Sequence, residues 1–461
     1  MKSNLLAIGG AAIMLSAMST MVTINAATII DDQIETIRGE NDAVGIVAWS
    51  VDGNGNMCSI GTAGERIKGS GEEIPAEGHS RHHIGSVSKT MTATLIAILI
   101  EDGTIPSWES TLGEVIPHEA SGSAYENVTL RQLLGCLSGL AYTVPDNFFS
   151  YQTKAPTDLR EQRRLASIDA LESTPESPPG TAYIYSNWSY LLAGHIIEEL
   201  TNMLWEEALV TLLFEPLGIE LNVNEINSFT GAPNNDIDAW GHSGTKKLDP
   251  CNPSTSEVQC DNPPVIGPAG TFSGPVAAMS QYFAFHVSCH KGNHPLLSEE
   301  SCKTLHQPAD PSFGLFGFGW VCMPREWAAG GDNDDDDDDQ LACTSNGSNT
   351  LNLYTVWLGF GIDRAYVAYT NQFREEGSEF DTTDSVIATM IMNDRKNENN
   401  NTHFCEAPIP YDVNSVQAGP PVKDPPVLTS SSSTIPLSLS TKTWIYRLCT
   451  IAPLLLGVIG I

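Results

Sequence analysis

The residues of this chain whose types and spacing could do chemistry begin with a serine and a lysine. Ser86 and Lys89 stand three residues apart in "IGSVSKT", which runs into the apolar segment "MTATLIAILIEDG". On a helix, positions i and i+3 share a face, so the lysine amine can reach the serine hydroxyl. Serine becomes a good nucleophile when a neighbouring base takes its proton, and lysine can do so if burial lowers its pKa. The alternative is that Ser86 caps the helix and Lys89 is a solvated charge.

A tyrosine and an asparagine form a second candidate group. Tyr185 and Asn187 stand in "YSN", immediately before another helical pattern. A tyrosine hydroxyl can shuttle a proton, and an amide can hold both a lysine and a substrate. Taken alone, Tyr-x-Asn describes a turn equally well. The two groups together predict a nucleophilic site if the fold brings them to one place.

The elements that must position these residues follow from the hydrophobic patterning. "AVGIVAWSVDGNGNMCSIGTAG" predicts two strands around a turn, and a helix is expected from Ser86 to Glu101. Helical patterns dominate from about residue 108 to 221, and a loop-like stretch follows to about 268. "LYTVWLGFG" and "RAYVAYTNQ" predict two more strands, before a closing helix in "TTDSVIATMIMND". This order predicts an α+β fold, in which both chain ends build an antiparallel sheet beside a mostly helical lobe.

The motifs and their order resemble the serine β-lactamase and penicillin-binding-protein superfamily, in its class C β-lactamase and D-Ala-D-Ala carboxypeptidase-like branch. The resemblance runs from about Asp31 to Asp394 and implies a β-lactamase/transpeptidase-like fold. In "VTLRQLLGCLSGL", Cys136 stands where the family usually has a histidine. The other segments that carry it are "IGSVSKTMTATLIAILIEDGTI", "PGTAYIYSN", "GPAGTFSGPVAAMSQYFAF" and "FGFGW".

The resemblance implies a role for each candidate residue. Ser86 would be the acylated nucleophile, and its backbone N–H half of the oxyanion hole. Lys89 would be the partner base, Tyr185 the general base that also protonates the leaving group, and Asn187 the group that orients Lys89 and the substrate amide. Ser88 is adjacent to Lys89 in the chain and is expected to point elsewhere.

A third motif departs from the family pattern. "CTSNGSNTLNLYTVWL" resembles the family's His-x-Gly version, which puts Gly347 in register and Ser345 where the family has a cation. The backbone N–H of Ser348 would complete the oxyanion hole. Because Ser345 brings no positive charge, we expect Tyr185 to be a weaker base near neutral pH and a substrate carboxylate to lose an anchor.

Composition limits the partners. The formal net charge is -33, which argues against nucleic acid and anionic membrane surfaces as partners. No cofactor or metal is expected, because the cysteines and histidines lack zinc-site spacing. The histidines His82, His83 and His242 are interpreted as structural or solvated.

The cysteines suggest a partial disulfide pattern. Ten are present, and Cys251 with Cys260 closes a short loop. Proximity in the chain suggests two further pairs, Cys289 with Cys302 and Cys322 with Cys343. Cys449 lies in the C-terminal tail that would be removed. The remaining three have no obvious partner: Cys58, Cys136 and Cys405.

The chain ends predict processing and anchoring. Residues 1–26 have the layout of a signal peptide, with a membrane anchor as the alternative. Residues 28–395 form the predicted catalytic domain, and 396–433 a disordered Pro- and Ser-rich stalk. Residues 434–461 resemble a hydrophobic lipid-anchor (GPI) signal, with a tail-anchored span as the alternative. The expected location is the secretory pathway and the cell surface or exterior.

Two functions remain open. The first is a secreted or surface-anchored serine hydrolase that cleaves a small-molecule or peptide ester or amide through an acyl-serine intermediate, with membrane contact only through the tail. The second is a catalytically impaired binding protein with a degenerate third motif. N-glycosylation sequons begin at four asparagines: Asn127, Asn187, Asn346 and Asn400. A glycan on Asn187 would block the predicted cleft.

Overall fold

The computed structural model describes residues 28–76, 80–141, 148, 150–155, 157–221, 237–243, 249–252, 260–330, 340–374, 378–399 and 405. The predicted signal peptide and anchor signal, and nearly all of the predicted stalk, lie outside these residues. Among the described helices, none combines the length and the apolar character that crossing a membrane requires.

An eight-stranded sheet forms one lobe. Its strand order is β1-β3-β2-β12-β11-β10-β9-β8, and all neighbours are antiparallel except β1 and β3. These strands are Thr28–Ile29 (β1), Gly45–Asp52 (β2), Met57–Gly64 (β3), Phe316–Gly317 (β8), Trp320–Pro324 (β9), Leu341–Ser348 (β10), Leu353–Gly359 (β11) and Arg364–Thr370 (β12). Early and late strands meet where β2 pairs with β12, which confirms the predicted sheet built from both chain ends.

Small sheets use the remaining strands. The three-stranded one has the order β13-β5-β6, and the two-stranded one joins β4 to β7. They consist of Arg81–His83 (β4), His242–Ser243 (β5), Asp249–Pro250 (β6), Ser273–Pro275 (β7) and Gln372–Phe373 (β13). The β4–β7 pair matters for the site, because β4 leads directly into the turn that carries Ser86.

The central strands are apolar throughout because both faces of the sheet are covered. In β2, Val47, Trp49 and Val51 face the main core, while Ile46 and Ala48 face a second core. A strand buried on both faces gives a continuous apolar run in place of an alternating one.

The helices lie on both faces of the sheet and in a separate lobe. They are Asp31–Glu40 (α1), Ser88–Glu101 (α2), Leu112–Val115 (α3), Pro117–Ala120 (α4), Leu130–Leu134 (α5), Ser150–Lys154 (α6), Leu159–Glu172 (α7), Asn187–Thr201 (α8), Trp205–Ala208 (α9), Gly267–Gly270 (α10), Val276–His290 (α11), Glu299–Leu305 (α12) and Ser378–Asn399 (α13). Helices α1 and α13 cover one face, and α11 lies on the other. Helix α2 is buried from Ser88 to Leu99, between the sheet and the helical lobe.

A buried ion cluster joins helical elements to the segment before α10. Arg163 of α7 donates to Glu198 of α8 and Glu206 of α9, and all three side chains are fully buried or nearly so. The same guanidinium donates to the carbonyl of Val265 at 3.2 Å. Burial by itself would lower the pKa of Arg163, but the two carboxylates outweigh it and raise that pKa. The cluster therefore holds the segment leading to α10 against the helical lobe.

Four disulfides are present among the described residues. The three pairs suggested by proximity are confirmed: Cys251–Cys260, Cys289–Cys302 and Cys322–Cys343. The fourth joins Cys58 in β3 to Cys405, a pairing that the sequence alone did not indicate. Cys136 belongs to none of them and is buried.

The folded domain extends beyond the predicted boundary at residue 395. Helix α13 continues to Asn399, and Cys405 is bonded to the sheet through Cys58. The last turn of α13 and the Cys58–Cys405 crosslink thus lie beyond the predicted start of the stalk at residue 396.

Candidate active site

The serine of the first motif lies in a tight turn just before α2. Residues Gly85–Val87 form a 3₁₀ turn, and the α-helix begins at Ser88. The Ser88 hydroxyl donates to the Gly85 carbonyl at 2.7 Å and accepts from the Phe272 N–H at 3.2 Å. As predicted, Ser88 is engaged elsewhere, and its contacts fix the turn that presents Ser86.

Lys89 is buried beside the Ser86 hydroxyl. Its Nζ lies 3.0 Å from Ser86 Oγ, 2.7 Å from Asn187 Oδ1 and 2.6 Å from the Ala269 carbonyl oxygen. Only 1% of this residue is exposed. Burial lowers the pKa of Lys89 to about 7, with Cys136 acting in the opposite direction. A large share of the amine is therefore neutral near pH 7, as a base for Ser86 requires.

Tyr185 completes the group around the Ser86 hydroxyl. The Tyr185 hydroxyl donates to Ser86 Oγ at 2.7 Å, and Lys89 Nζ lies 4.8 Å from the centre of the tyrosine ring. The YSN turn is held in place by Ser186, which caps α8 and donates to the Ala141 carbonyl. Asn187 is the first residue of α8. The structure thus brings Ser86, Lys89, Tyr185 and Asn187 together.

Strand β10 lies directly against the 85–87 turn. Its residues Ala342–Thr344 pair with both β9 and β11, whereas Ser345–Ser348 is paired in the described chain with β11 alone. A Cβ atom on Gly347 would overlap the Ile84 carbonyl oxygen and lie 2.5 Å from the Ser86 nitrogen. A Cβ on Gly85 would overlap the Ser348 nitrogen. The backbone N–H groups of Ser86 and Ser348 therefore belong to two segments in direct contact, as an oxyanion hole requires.

Ser345 makes a different contact from the other predicted site residues. Its side chain is buried, and its hydroxyl donates to the Gly319 carbonyl at 2.9 Å. The structure therefore does not join the Ser345 hydroxyl to the hydrogen bonds around Ser86. The backbone of Gly347 and Ser348 therefore lies against the turn of Ser86, whereas the Ser345 side chain is bonded elsewhere.

The sequons differ in their surroundings. Asn187 uses its amide oxygen to accept from Lys89. Asn346 is partly buried on β10, and Asn127 is exposed. Asn400 lies outside the described residues. Among the three described positions, Asn127 offers the most room for a glycan.

The predicted structural histidines are all engaged in hydrogen bonds. His82 Nε2 lies 3.2 Å from the Pro75 carbonyl, and burial lowers the His82 pKa to about 4. His242 Nδ1 lies 2.7 Å from the Asn371 carbonyl. His83 is different, because it contacts the turn of Ser86 itself. The described part of the chain contains no group of three or more His, Cys, Asp or Glu side chains arranged to hold a metal ion.

Two contributors to the site were missed from the sequence. The Ala269 carbonyl accepts from Lys89, and His83 accepts from the Gly85 N–H at 3.0 Å. The first is a backbone atom, which no residue type can reveal. The second had a signal, since His83 stands two residues before Gly85, where a side-chain acceptor can close a small turn.

Comparison with known proteins gives relatives over part of the chain. Penicillin-binding protein 4 of Amycolatopsis lactamdurans is 29% identical over 190 residues, which are 41% of this chain and 46% of that protein. Lovastatin esterase of Penicillium rubens is 25% identical over 195 residues, which are 38% of this chain and 47% of that protein. The chain thus spans about half the length of these curated relatives.

Solved structures agree on the fold. A class C beta lactamase from Rhodobacter sphaeroides superposes with a TM-score of 0.56 at 19% identity, over 78% of this chain and 98% of that one. This likeness shows a β-lactamase/transpeptidase-like α+β fold. The Beta-lactamase family model matches residues 30–396, which include both lobes and every residue of the Ser86 cluster. With that match over most of its length, the chain belongs to the beta-lactamase family of serine hydrolases.

Proposed function

We propose that this protein cleaves a neutral ester or amide through an acyl intermediate on Ser86. The observation that carries the proposal is that Ser86 Oγ lies within hydrogen-bond distance of both Lys89 Nζ and the Tyr185 hydroxyl, at 3.0 and 2.7 Å. A nucleophile beside a base that is itself oriented by further groups is the general arrangement of covalent catalysis. Here Asn187 and the Ala269 carbonyl orient the base.

The proposed acylation step forms the bond from Ser86 Oγ to the acyl carbon and breaks the bond to the leaving group. The serine proton is passed on through Lys89 and Tyr185, so that the leaving group departs protonated. Neutral Lys89 takes the Ser86 proton as Oγ attacks the substrate carbonyl carbon, and the N–H groups of Ser86 and Ser348 receive the developing negative charge. The Tyr185 O–H already points at Oγ, so it can protonate the leaving group as that bond breaks. The Lys89 ammonium then gives a proton back to the Tyr185 oxygen. Water completes the cycle by releasing the acyl group from Ser86.

The substrate is proposed to lack a carboxylate near the scissile bond. Ser345 occupies the family's cation position, and its hydroxyl is bonded to Gly319. The side chain there offers no positive charge to a carboxylate, which favours a small neutral ester or amide or a peptide. The relative named lovastatin esterase supports the view that this family also acts on esters. No nucleic acid partner is proposed, given the net charge of -33.

The proposed location is outside the cytosol. Four disulfides suit an oxidising compartment, and this supports the predicted secretory route. The cell surface or exterior is the proposed destination, with membrane contact only through the C-terminal tail.

A second candidate function is a binding protein with impaired catalysis. The observation that favours it is the missing side-chain cation at Ser345, together with Cys136 in place of the family's histidine. In that case the cleft would bind the same neutral ligands without forming an acyl intermediate.

One experiment separates the two. The purified domain is treated with a fluorophosphonate probe, a labelled penicillin and a p-nitrophenyl ester, and adducts are mapped by mass spectrometry. The hydrolase proposal expects an adduct on Ser86 and ester turnover, both lost in Ser86→Ala. Ser88→Ala is expected to keep the adduct on Ser86 but to form it more slowly, because the turn has lost the Ser88 hydrogen bonds. A folded protein with neither adduct nor turnover would favour the binding protein. An adduct on Ser88 would overturn the assignment of the nucleophile.

A further inference from the structure

A buried histidine–aspartate pair touches the turn that presents Ser86. His83 Nδ1 lies 3.0 Å from the Gly85 nitrogen, and His83 Nε2 lies 2.6 Å from Asp261 Oδ1. Since a backbone N–H can only donate, Nδ1 must be the acceptor and the ring proton lies on Nε2, toward the carboxylate. The two side chains are only 6% and 5% exposed. The ring therefore connects the Asp261 carboxylate to the backbone N–H of Gly85, the residue before the nucleophile.

The same carboxylate oxygen also reaches the other half of the proposed oxyanion hole. Asn349 Nδ2 lies 3.3 Å from Asp261 Oδ1, and Asn349 directly follows Ser348 at the end of β10. The Asn262 N–H donates to this oxygen as well, at 2.7 Å. One buried carboxylate thus links the segment of Ser86 to the segment of Ser348.

The next residue extends the connection to Lys89. Asn262 Nδ2 donates to the Gly270 carbonyl at 2.9 Å, and Gly270 follows Ala269, whose carbonyl accepts from Lys89. Gly270 itself lies against Gly85, since a Cβ on it would be 3.6 Å from the Gly85 carbonyl carbon. The dipeptide Asp261-Asn262 is therefore bonded directly to the Gly270 backbone, and it is linked to the segments of Ser86 and Ser348 through the side chains of His83 and Asn349.

We propose that His83, Asp261 and Asn262 form a positioning group that sets the distances between the Ser86 N–H, the Ser348 N–H and the Lys89 amine. None of the three touches Ser86 Oγ in the hydrogen bonds of the site, so they act through the backbone. The proposal rests on the proposed acyl-serine function, because the distances matter only if charge develops between these groups. Oxyanion donors act over a narrow range of about 2.7–3.1 Å, so small shifts of either segment carry a large cost in rate.

Two substitutions at His83 each remove one of its two hydrogen bonds and keep the other. In His83→Asn, the amide oxygen can accept from the N–H two residues ahead, as asparagine does in an Asx turn. The shorter asparagine side chain, however, no longer reaches Asp261. In His83→Gln, the longer side chain can reach Asp261 but no longer presents an acceptor to Gly85. His242→Asn is the control, because His242 is also buried and bonded to backbone groups but contacts neither Gly85 nor Asp261.

The first measurement is independent of activity. Amide hydrogen exchange at Gly85, located by fragmentation mass spectrometry, is expected to rise about tenfold in His83→Gln and to stay near the wild-type rate in His83→Asn and His242→Asn. Equal exchange at Gly85 in all three variants would overturn the proposal. This measurement decides the question even if the wild-type protein forms no adduct, in which case the proposed function fails separately.

The second measurement is the rate of fluorophosphonate labelling of Ser86 in samples matched for thermal stability. His83→Gln is expected to label about 100-fold more slowly than wild type, since misplacement by about 1 Å can cost that much. His83→Asn keeps the bond to Gly85 but loses the link to Asp261, and it is expected to label about tenfold more slowly than wild type. Equal slowing in both His83 variants would indicate a merely structural histidine and overturn the proposal. If His83→Gln does not fold, Asn262→Ala replaces it. That variant is expected to slow labelling about tenfold with Gly85 exchange unchanged, and labelling at the wild-type rate would overturn the proposal.

Discussion

At the scale of single residues, the site depends on what surrounds one lysine. Lys89 is 1% exposed and contacts one hydroxyl, one amide oxygen and one backbone carbonyl. None of these partners is an anion, and the opposing effect of Cys136 is smaller than the cost of burying the ammonium. That is the physical reason why burial lowers the pKa of Lys89 to about 7. An exposed lysine in the same motif would remain charged and could not take a proton.

The pH dependence of acylation follows from this environment. Because the neutral amine is the base, we expect the labelling rate of Ser86 to rise with pH and to reach half its maximum at about 7, the pKa of Lys89. Below that pH the amine is protonated and the rate falls. Stopped-flow acylation by a p-nitrophenyl ester between pH 5 and 9 tests this. The rate of spontaneous ester hydrolysis and the Lys89→Arg variant, which stays charged, serve as controls. A rate that is still rising steeply near pH 9 would contradict the prediction.

The missing cation at Ser345 gives a second prediction at this scale. Ser345→His introduces a ring that can donate a hydrogen bond and carry positive charge in the cleft, so we expect higher activity at neutral pH. The gain is expected to be larger for an ester with a carboxylate near its carbonyl than for its neutral methyl-capped analogue, by about tenfold. The measurement is kcat/KM for the matched pair of esters. Ser345→Asn controls for the added bulk and the lost bond to Gly319. An unchanged rate in Ser345→His would show that the missing cation does not limit the enzyme.

At the scale of elements, the site is the contact of a strand with a turn. The β10 backbone reaches the 85–87 turn because both sides of the contact are glycine: Gly347 on the strand and Gly85 in the turn. Gly85 also has a φ of +51°, a conformation that side chains with a Cβ rarely adopt. The glycine of the third motif is thus explained by space alone, whatever residue occupies position 345.

Substitution of Gly347 tests this contact. In Gly347→Ala the new methyl group would overlap the Ile84 carbonyl oxygen, so the turn and β10 must separate. We expect labelling of Ser86 to fall about 100-fold or more, since a shift near 1 Å misplaces both oxyanion donors. We expect the free energy of unfolding to fall by about 1–3 kcal/mol.

The matched control for that substitution is Gly39→Ala. Gly39 is exposed in α1, and no atom lies within 4 Å of a Cβ built on it. Alanine there is expected to add about 0.5–1 kcal/mol of stability without altering the labelling rate. Thermal unfolding and labelling of both variants are measured together. Normal labelling in Gly347→Ala would contradict the proposed closeness of β10 and the turn.

At the scale of the whole molecule, distant parts of the chain meet at the sheet. Strand β2 pairs with β12, and Cys58 in β3 is bonded to Cys405, which is 347 residues away. A crosslink that closes a long loop removes more freedom from the unfolded chain than one that closes a short loop. The second crosslink chosen for comparison joins Cys289 to Cys302, which are 13 residues apart.

Removal of each crosslink gives the corresponding stability prediction. We expect the Cys58→Ser, Cys405→Ser double variant to lose about 4–5 kcal/mol of unfolding free energy, and the Cys289→Ser, Cys302→Ser pair about 3 kcal/mol. Labelling of Ser86 per folded molecule is expected to stay near wild type in the first variant, because neither cysteine contacts the site. Denaturant titration measures both losses. A larger loss from the short crosslink would show that packing around the bond outweighs loop length.

Some features of this protein follow from the sequence by itself. Local patterning predicted strands β2, β3, β11 and β12 and the long helices α2, α8 and α13, because each carries its own apolar periodicity. The motif order indicated the family, and three disulfides followed from proximity. Sequence resemblance also indicated four site residues: Ser86, Lys89, Tyr185 and Asn187. The fold brings them into contact although Lys89 and Asn187 are 98 residues apart in the chain. These inferences concern residue types and local order, which the sequence states directly.

Only the tertiary structure decided the rest, because the remaining features depend on groups that are far apart in the chain or that lie in the backbone. Three features of the site involve backbone atoms, which every residue type carries alike. They are the Ala269 carbonyl beside Lys89, the close approach of Gly347 to the Ile84 carbonyl and the bond from Ser345 to the Gly319 carbonyl. The surroundings of His83 also depend on Asp261, which is 178 residues away and which no local pattern connects to it. The pKa of Lys89 likewise depends on burial, and burial is a property of the packed molecule.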